Sequence, residues 1–368
     1  MSELKLGFGC MRFLQENGAV IESEVKKMFD LFLENGFTYF DTAHGYLNGQ
    51  SEPVIRRCLV DRYPREKFVL TDKLSAFLYK KEEEIIPYIE NQLKICGVSY
   101  FDNYLIHSVH HGNYEKYKNT HAFELVKQMK EQGKIKHIGI SFHDNAELLE
   151  QILTEQPEIE LVQIQLNYLD FDDPGVQSRR LLETCRKFNK KVIVMEPIRG
   201  GRLAELPEKI HEKLAQEISG TDAALALRFA AQQEGVVMVL SGMNTLDTVR
   251  ENTALFKDIQ PLSEKEEALA FEAARELHAL SEISCTACAY CTNVCPQELK
   301  IPDFFQCYNE KKMFGGSGPG KTYRFITGKS KKASECLSCG ACEGVCPQQI
   351  EIREMLKKVA AAFETEEA

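Results

Sequence analysis

The sequence lacks the features that mark membrane, secreted and nucleic-acid-binding proteins. None of its apolar runs reaches the ~20 residues that a membrane-spanning helix needs, and its first residues have neither the charged start nor the apolar core of a signal peptide. It also has no excess of positive charge, since 45 Lys and Arg stand against 55 Asp and Glu, for a formal net charge of −10. We therefore expect a cytoplasmic protein whose main partner is neither nucleic acid nor a membrane, because both attract basic surfaces.

Cysteine is scarce through most of the chain and then becomes dense. Of the 13 cysteines, only four precede residue 285, and the other nine lie between Cys285 and Cys346. A reducing compartment argues against a disulfide framework, so metal ligation becomes the first hypothesis for this cluster. A length of 368 residues also predicts about two domains. The chain therefore divides into a long cysteine-poor body and a short cysteine-dense tail.

The body alternates short apolar runs with segments of helical spacing. In residues 24–35, apolar side chains recur at the i, i+3, i+4 and i+7 positions of one helix face, and Gly36 follows where a C-terminal cap belongs. Eight strand–helix units of this kind match the size and order of a (β/α)8 TIM barrel. The predicted strands are Leu6–Cys10, Phe37–Asp41, Phe68–Thr71, Tyr104–His107, Ile135–Ile140, Leu161–Leu166, Val192–Met195 and Val236–Leu240.

An open, doubly wound α/β sheet is the alternative architecture for the body. Such sheets usually carry a Gly-rich loop with three glycines after the first strand. Segment Leu6–Met11 reads LGFGCM and lacks the third glycine. The barrel is therefore the favoured fold.

Polar side chains stand near the ends of three successive predicted strands. Asp41, Lys73 and His107 follow the second, third and fourth strands, and Tyr46 lies in the loop after the second. Because active sites of such barrels form at the C-terminal ends of the strands, we expect these four side chains to converge. A phenol has an ordinary pKa near ~10, and an adjacent ammonium lowers it by stabilising the phenolate. This chemistry suits proton transfer during carbonyl reduction, with a reduced nicotinamide supplying hydride.

In these motifs the sequence resembles the aldo-keto reductase family. FDTAHGY, TDKL and YLIHS match the family's catalytic segments, and the resemblance covers residues 1–260. It implies an NADP- or NAD-dependent oxidoreductase in which Tyr46 is the general acid, Asp41 and Lys73 tune it, and His107 orients the carbonyl. The cofactor contacts that the resemblance implies are Ser141, Gln163, Met195, Pro197, Ile198, Gly200, Gly201, Gly242, Met243, Glu251 and Asn252.

The sequence departs from the family pattern around the cofactor. Phe142 stands where many members have Asn, and Met195 where many have a Tyr that stacks on the nicotinamide. Gly242 and the residue after it occupy positions that often hold a cation and a Ser in NADP-preferring members. The choice between NADP and NAD therefore stays open, with Arg202 or Arg250 as candidate cations.

The tail contains two copies of one cysteine pattern. Each copy reads Cys-x2-Cys-x2-Cys-x3-Cys-Pro, the spacing with which bacterial ferredoxins bind 4Fe–4S clusters, where the fourth Cys ligates the other cluster. Paired zinc sites are the alternative, because zinc also takes four thiolates, but they leave the third Cys and the Cys-Pro unexplained. Cys307 is left over, and we expect it to be a buried apolar residue. The predicted ligands are Cys285, Cys288, Cys291 and Cys346 for cluster I, and Cys336, Cys339, Cys342 and Cys295 for cluster II.

The sequence thus predicts four regions. Residues 1–260 form the barrel, 261–283 a helical connector, 284–350 a small α+β two-cluster ferredoxin-like domain, and 351–368 a C-terminal helix with an acidic tail. Within the tail, the glycine-rich sequence of Phe314–Gly320 predicts a turn-rich solvated loop.

Two functions are compatible with this sequence. One is an enzyme that interconverts a small carbonyl compound and its alcohol, in which the clusters either exchange electrons with a ferredoxin or flavodoxin partner or act as structural staples. Nicotinamide moves two electrons and a cluster moves one, so direct coupling between them is chemically awkward. The other is a nicotinamide-binding redox sensor or regulatory protein with structural or sensing clusters.

Overall fold

A computed structural model of the chain describes residues 4–218 and 220–364. It separates into two compact units. The first takes in residues up to Asp172, Val176–Ala204 and Ala223–Glu264, and the second takes in Asp173–Gly175, Glu205–Asp222 and the chain from Lys265 onward.

Among its described residues the first unit has ten strands, and eight of them form a closed parallel barrel in the order β1-β10-β9-β8-β7-β6-β5-β4. All eight predicted strands are present, and the predicted barrel is confirmed. The other two strands pair as a short antiparallel hairpin around Asn17 and Gly18, whose φ angles of 51° and 80° are those of an Asn-Gly hairpin turn. The strands are β1 (Leu6–Gly9), β2 (Gln15–Glu16), β3 (Ala19–Val20), β4 (Tyr39–Asp41), β5 (Val69–Ser75), β6 (Phe101–Val109), β7 (Ile135–Phe142), β8 (Leu161–Gln165), β9 (Lys191–Met195) and β10 (Val236–Ser241).

The two strands that exceed their predicted length most, β5 and β6, both carry predicted catalytic residues. Lys73 lies two residues before the end of β5, and His107 two residues before the end of β6. Register places Ser75 of β5 beside His107 of β6, and Asp41 of β4 beside Thr71 of β5. The barrel therefore brings these side chains to one end, as parallel strands require.

Helices follow the strands of the barrel and make up the second unit. The helix that begins at Ser51 ends at Ile55, and a π-helical turn of five residues follows it. The helices are α1 (Glu22–Glu34), α2 (Ser51–Ile55), α3 (Ile85–Cys96), α4 (His111–Asn119), α5 (Ala122–Glu131), α6 (Ala146–Glu155), α7 (Ser178–Lys187), α8 (Glu208–Ala215), α9 (Asp222–Gln232), α10 (Leu246–Lys257), α11 (Glu264–Ala279), α12 (Tyr290–Asn293), α13 (Ile301–Phe314), α14 (Gly318–Thr327), α15 (Ala341–Gly344) and α16 (Ile352–Phe363). None of the described helices is both long and apolar enough to span a membrane.

The second unit is built from helices around its own core. The expected loop at Phe314–Gly320 is shorter in the structure, because α14 already begins at Gly318 and Pro319 suits the first turn of a helix. Among the described residues no strand follows Ser241, so this unit lacks the β component expected from the sequence. Its cysteine-bearing loops instead form backbone hydrogen bonds between residues close in sequence. The amide of Cys285, for example, donates to the Ile283 carbonyl at 2.8 Å. Its core contains Leu299, Phe304, Phe305, Tyr323, Leu356, Val359 and Phe363.

Phenylalanine side chains pack between α1 and the first two barrel strands, β1 and β4. Phe29 of α1 is fully buried, and its ring lies 5.1 Å from that of Phe8 and 4.9 Å from that of Phe40, both in edge-on geometry. Edge-on aromatic contacts add to the free energy gained by burying the rings. The helix therefore docks on these two strands through an aromatic cluster.

We predict that Phe29→Ala lowers the free energy of unfolding of the barrel by about 3–5 kcal/mol, because it leaves a cavity in this cluster. Phe77→Ala is the matched control, since the Phe77 side chain is 73% exposed, and its expected effect is within about 0.5 kcal/mol. Urea denaturation followed by circular dichroism measures both values. Equal losses in the two variants would contradict the packing described here.

Candidate active site and cysteine pockets

Lys73 is fully buried inside the barrel, and Asp41 balances its charge. Its Nζ lies 2.6 Å from Oδ1 of Asp41 and donates to the Thr42 carbonyl at 2.8 Å. The second carboxylate oxygen accepts a hydrogen bond from Gln163 Nε2 at 3.3 Å. Burial by itself lowers the pKa of Lys73, but the neighbouring Asp41 and Tyr46 outweigh burial and raise it. The amine is therefore a cation throughout the neutral pH range.

The Tyr46 hydroxyl lies 3.1 Å from Nζ of Lys73. Burial raises the pKa of Tyr46, and the positive charge of Lys73 opposes this rise without cancelling it. The sequence predicts a pKa lowered by Lys73, and the effect of Lys73 has that sign, but burial is the larger influence. The phenol is thus protonated at neutral pH. Such a group can give its proton to an oxygen, and the ammonium then stabilises the phenolate that remains.

His107 packs edge-on against Tyr46, with ring centroids 6.0 Å apart. Its Nδ1 lies 2.5 Å from Oγ of Ser75. Burial, assisted by the charges of Lys73 and His143, lowers the pKa of His107 well below its usual value, so the ring is neutral at pH 7. Where the Ser75 hydroxyl donates to Nδ1, the ring proton sits on Nε2, which is then a hydrogen-bond donor for a substrate oxygen.

The residues expected to contact a cofactor lie on β7, β8 and β9, in the loops after β9 and β10, and on α10. Ser141 and Gln163 are register partners on β7 and β8, and Oγ of Ser141 accepts a hydrogen bond from the Ser108 amide at 2.8 Å. Asn252 on α10 donates to Oγ of Ser241 at 3.0 Å. Met195 is the last residue of β9, and the loop after it contains Pro197, Ile198, Gly200 and Gly201. The loop after β10 contains Gly242 and Met243, and Glu251 lies on α10.

The loop after β9 has a backbone suited to close approach by a ligand. Gly200 and Gly201 have φ angles of 66° and 100°, a region that glycine enters without steric cost. A Cβ on Gly201 would meet no atom within 4 Å, so space lies beside its backbone. Helix α10 begins shortly after β10 in the chain. The N-terminus of this helix carries a partial positive charge, which favours the binding of phosphates. These residues fit a dinucleotide.

Arg12 is a residue of this region that the sequence analysis missed. Its Nη2 lies 3.4 Å from Oε1 of Glu196, which follows β9. A Cβ on Gly242, which follows β10, would lie only 2.8 Å from Cδ of Arg12. The arginine therefore spans the two loops to which the cofactor contacts were assigned, and a guanidinium suits phosphate oxygens. A single arginine in a loop after the first strand gives no signal that would have identified it.

A buried polar network behind Lys73 was also missed. The Asp72 carboxylate accepts a hydrogen bond from the Lys73 amide at 2.8 Å, and Gln92 donates both to Glu52 at 2.9 Å and to the Lys73 carbonyl at 3.2 Å. Burial and the neighbouring Glu52 raise the pKa of Asp72 well above its ordinary range. The carboxyl groups of Asp72 and Glu52 and the thiol of Cys96 lie close together. This network fixes the backbone of Lys73 from outside the barrel.

Two pockets in the second unit bring together the cysteines that the sequence groups. Each pocket is lined by the first three cysteines of one motif and by the fourth cysteine of the other motif. Apolar side chains of the core also line each pocket. The first pocket contains Cys285, Cys288, Cys291 and Cys346, and the second contains Cys336, Cys339, Cys342 and Cys295. Cys307, left over in the sequence, is buried in the core of the unit.

Sulfur spacing in these pockets disagrees with zinc. A tetrahedral zinc site with bonds of about 2.3 Å needs sulfurs about 3.8 Å apart. Among the described residues, however, no three cysteine sulfurs lie within 4.8 Å of one another. A 4Fe–4S cube, whose ligands bind four different iron atoms, needs the wider spacing.

The two motifs share an unusual backbone as well as a cysteine pattern. Residues at matching positions adopt positive φ: 55° at Ala287 and 54° at Ser338, then 60° at Ala289 and 77° at Gly340. Left-handed turns of this kind point successive N–H groups to one side and form anion-binding concavities. The Ser338 amide donates to Sγ of Cys336 at 3.4 Å. The donor set and the backbone both fit an anionic thiolate cluster.

Comparisons with known proteins match two separate parts of the chain to two families. Residues 5–273 match the model of the aldo/keto reductase family, and residues 284–351 match the model of a 4Fe-4S dicluster domain. Human aldo-keto reductase family 1 member C2 is 28% identical over 291 residues, covering 72% of this chain and 86% of its own length. Prostaglandin F synthase 1 from Bos taurus is 27% identical over 277 residues, covering 68% and 82%.

Solved structures show the same barrel. The thermostable aldo-keto reductase Tm1743 superimposes with a TM-score of 0.60 at 24% identity, covering 73% of this chain and 94% of its own. An aldo-keto reductase from Klebsiella pneumoniae, solved in complex with NADPH, gives 0.59 at 20% identity, covering 73% and 90%. Because the matching family model spans well over half of the sequence, the chain belongs to the aldo/keto reductase family and joins that barrel to a 4Fe-4S dicluster domain.

Proposed function

We propose that the barrel interconverts a small carbonyl compound and its alcohol with NADPH or NADH, and that the tail holds two 4Fe–4S clusters. The observation that carries the first part is the position of Lys73, whose buried amine is within hydrogen-bond distance of both Asp41 and the Tyr46 hydroxyl. A cation held beside a protonated phenol in a barrel mouth is the arrangement that carbonyl protonation requires.

Each side chain has one task in this mechanism. His107, neutral and with Nδ1 held by Ser75, donates from Nε2 to the carbonyl oxygen and fixes its position. Tyr46 delivers its proton to the same oxygen, and the ammonium of Lys73 stabilises the phenolate. Asp41 keeps the amine charged through the cycle. When bound, the nicotinamide supplies the hydride that reduces the carbonyl carbon.

Several observations support a nicotinamide dinucleotide as the cofactor. The glycine loop after β9 and the start of α10 offer backbone N–H groups and open space, and Arg12 spans them. The Klebsiella reductase with a similar barrel was solved with NADPH. Arg250 is paired with Asp247 at 2.6 Å, so a 2′-phosphate would have to compete with that carboxylate for it. We therefore leave the cofactor as NADP or NAD.

The two cysteine pockets support the proposed clusters. We assign Cys285, Cys288, Cys291 and Cys346 to cluster I, and Cys336, Cys339, Cys342 and Cys295 to cluster II. One cysteine of each set, Cys288 or Cys339, is exposed. A cluster held there has an edge near the surface, which favours exchange of electrons with a ferredoxin or flavodoxin over a purely structural role.

We predict that Tyr46→Phe lowers kcat for carbonyl reduction by about 10²–10⁴-fold, because it removes the proton donor and keeps the ring. The dissociation constant of NADPH or NADH should stay within about twofold, since binding does not use this proton. Steady-state assays on a panel of aldehydes and ketones, with fluorescence titration of the cofactor, measure both quantities.

Tyr88→Phe is the matched control, because the buried Tyr88 hydroxyl has no hydrogen-bond partner among the described residues. It should retain nearly full activity. Undiminished turnover by Tyr46→Phe would remove Tyr46 from the mechanism. Tight cofactor binding by the wild-type chain without turnover of any carbonyl would instead favour a redox sensor.

We predict opposite pH profiles for the two directions of the reaction. Reduction needs the protonated phenol, and burial raises the pKa of Tyr46, so its rate should stay level through neutral pH and fall in alkaline solution. Alcohol oxidation needs the phenolate, so its rate should rise by about tenfold per pH unit over the same range. Initial rates between neutral and strongly alkaline pH test this, and faster reduction at higher pH would refute the assignment of Tyr46 as the acid.

We predict about eight iron and eight sulfide atoms per chain in anaerobically purified protein, as two 4Fe–4S clusters require. Either Cys288→Ala or Cys339→Ala should lose about half of this iron, because each removes a ligand of one cluster only. Cys307→Ala is the control and should keep all of it, since Cys307 lies outside both pockets. Zinc in place of iron, at about two atoms per chain, would overturn the proposal.

A further inference from the structure

A run of positive charge borders the second cysteine pocket. Residues 321–332 read KTYRFITGKSKK and contain five cations and no acidic residue, in a chain whose net charge is −10. All five cations are exposed. The run leaves α14 and leads directly to Cys336, the first ligand that we assign to cluster II.

Contacts connect this run to the pocket itself. The Lys331 amine donates to the side-chain carbonyl of Gln297, and Gln297 lines the pocket of the second cysteine set. Leu337 lines the same pocket and is nevertheless 61% exposed. Lys329 lies over the ring of Phe325, with its amine 4.3 Å from the ring centroid, and Phe325 is 66% exposed. We name Phe325, Lys329, Lys331, Lys332 and Leu337 the basic patch.

The cations of the basic patch are not neutralised by ion pairs. Within residues 4–218 and 220–364, Lys329, Lys331 and Lys332 form no salt bridge. Two acidic residues interact with Lys332: Glu335, which accepts a hydrogen bond from the Lys332 backbone amide, and Glu364. The patch therefore keeps a positive excess on its surface.

The first cysteine pocket has no equivalent patch, although the two motifs repeat at a spacing of 51 residues. The positions that match Lys331 and Lys332 are Leu280 and Ser281, and the position that matches Leu337 is Thr286. Backbone geometry at the two pockets is otherwise alike, as the matching positive φ angles show. The run of cations is thus specific to the second pocket, whereas exposed apolar side chains, such as Leu280 and Tyr290, also flank the first cysteine motif.

We propose that the basic patch is the docking site for a small acidic one-electron carrier protein, which exchanges electrons with cluster II. This proposal rests on the clusters assigned under the proposed function. Lysines around exposed apolar side chains steer an acidic partner, and the acidic remainder of the chain repels it elsewhere, so the partner is oriented toward this pocket. Redox complexes need only a small interface, which a patch of this size can supply.

The electron step involves no bond or proton change in this chain. A reduced carrier gives up one electron and is oxidised, and cluster II takes that electron, passing from its 2+ to its 1+ state. The reverse step reduces an oxidised carrier. Since the carrier is the only co-reactant, the exchange balances without a further reagent.

The test uses the complete chain with both clusters and a purified two-cluster ferredoxin of net negative charge as the probe. Anaerobic stopped-flow mixing of the reduced ferredoxin with the oxidised chain follows bleaching of the visible absorbance. We expect the triple variant K329E/K331E/K332E to lower the second-order rate constant at low salt by about 10–100-fold. The wild-type rate constant should fall as salt is added, and that of the variant should not.

The matched control is K67E/K94E/K127E, which makes the same change in net charge with three exposed lysines of the barrel. Its rate constant should stay within about twofold of the wild-type value, allowing for the change in total charge. Phe325→Ala, a neutral change in the basic patch, should lower the rate constant while the iron content stays unchanged. Equal losses in the two triple variants would overturn the docking site.

Two further measurements separate this proposal from the one on which it rests. Reduction by dithionite, a small molecule, should proceed at similar rates in the wild-type chain and in all variants. A chain that contains no iron, or whose clusters dithionite does not reduce, would refute the proposed clusters themselves. Preferential binding of a single-stranded oligonucleotide over the acidic ferredoxin, lost in K329E/K331E/K332E, would show that the patch binds nucleic acid and would overturn the docking proposal alone.

Discussion

A fully buried ammonium is the constraint on which the active site depends. Removing a charge from water costs several kcal/mol unless a partner charge and hydrogen bonds compensate, and Lys73 obtains both from Asp41, the Thr42 carbonyl and Tyr46. Asp41 lies on β4 and Lys73 on β5, so the pair forms only when these strands are in register. Closure of the barrel and assembly of the proton-transfer site therefore depend on the same strand pairing.

The barrel and the convergence of the four proposed catalytic side chains could be predicted because both leave regular signals in the sequence. Apolar runs alternate with helical spacing, and polar residues interrupt the pattern near strand ends. The contact between Ser75 and His107 could not be predicted, since it depends on the register of β5 against β6. Arg12 and Glu196 are separated by 184 residues and meet only across the closed barrel. Contacts that form only when the barrel closes leave no signal in the local sequence.

The grouping of the cysteines could be predicted from their spacing, because in this ferredoxin pattern the fourth Cys of each motif ligates the other cluster. The backbone conformation of the two cysteine motifs could not be predicted from that spacing. Ala287, Ala289 and Ser338 adopt left-handed angles that side chains other than glycine rarely take, and only Gly340 of the matching positions has the residue expected there. Such strain is tolerated where the surrounding structure requires it. Here it turns N–H groups toward the sulfurs, a requirement that composition does not express.

The architecture of similar barrels bears on why this chain carries a tail. The Tm1743 reductase matches the barrel over almost its whole length, so the fold is complete without a counterpart of residues 284–351. In the proposed function, two clusters accept one electron each, and together they match the two electrons of one hydride. The exposed Cys288 and Cys339 would give both proposed clusters access to the surface. At the proposed docking site, the positive charge beside the second cysteine pocket would give an acidic carrier a preferred point of entry.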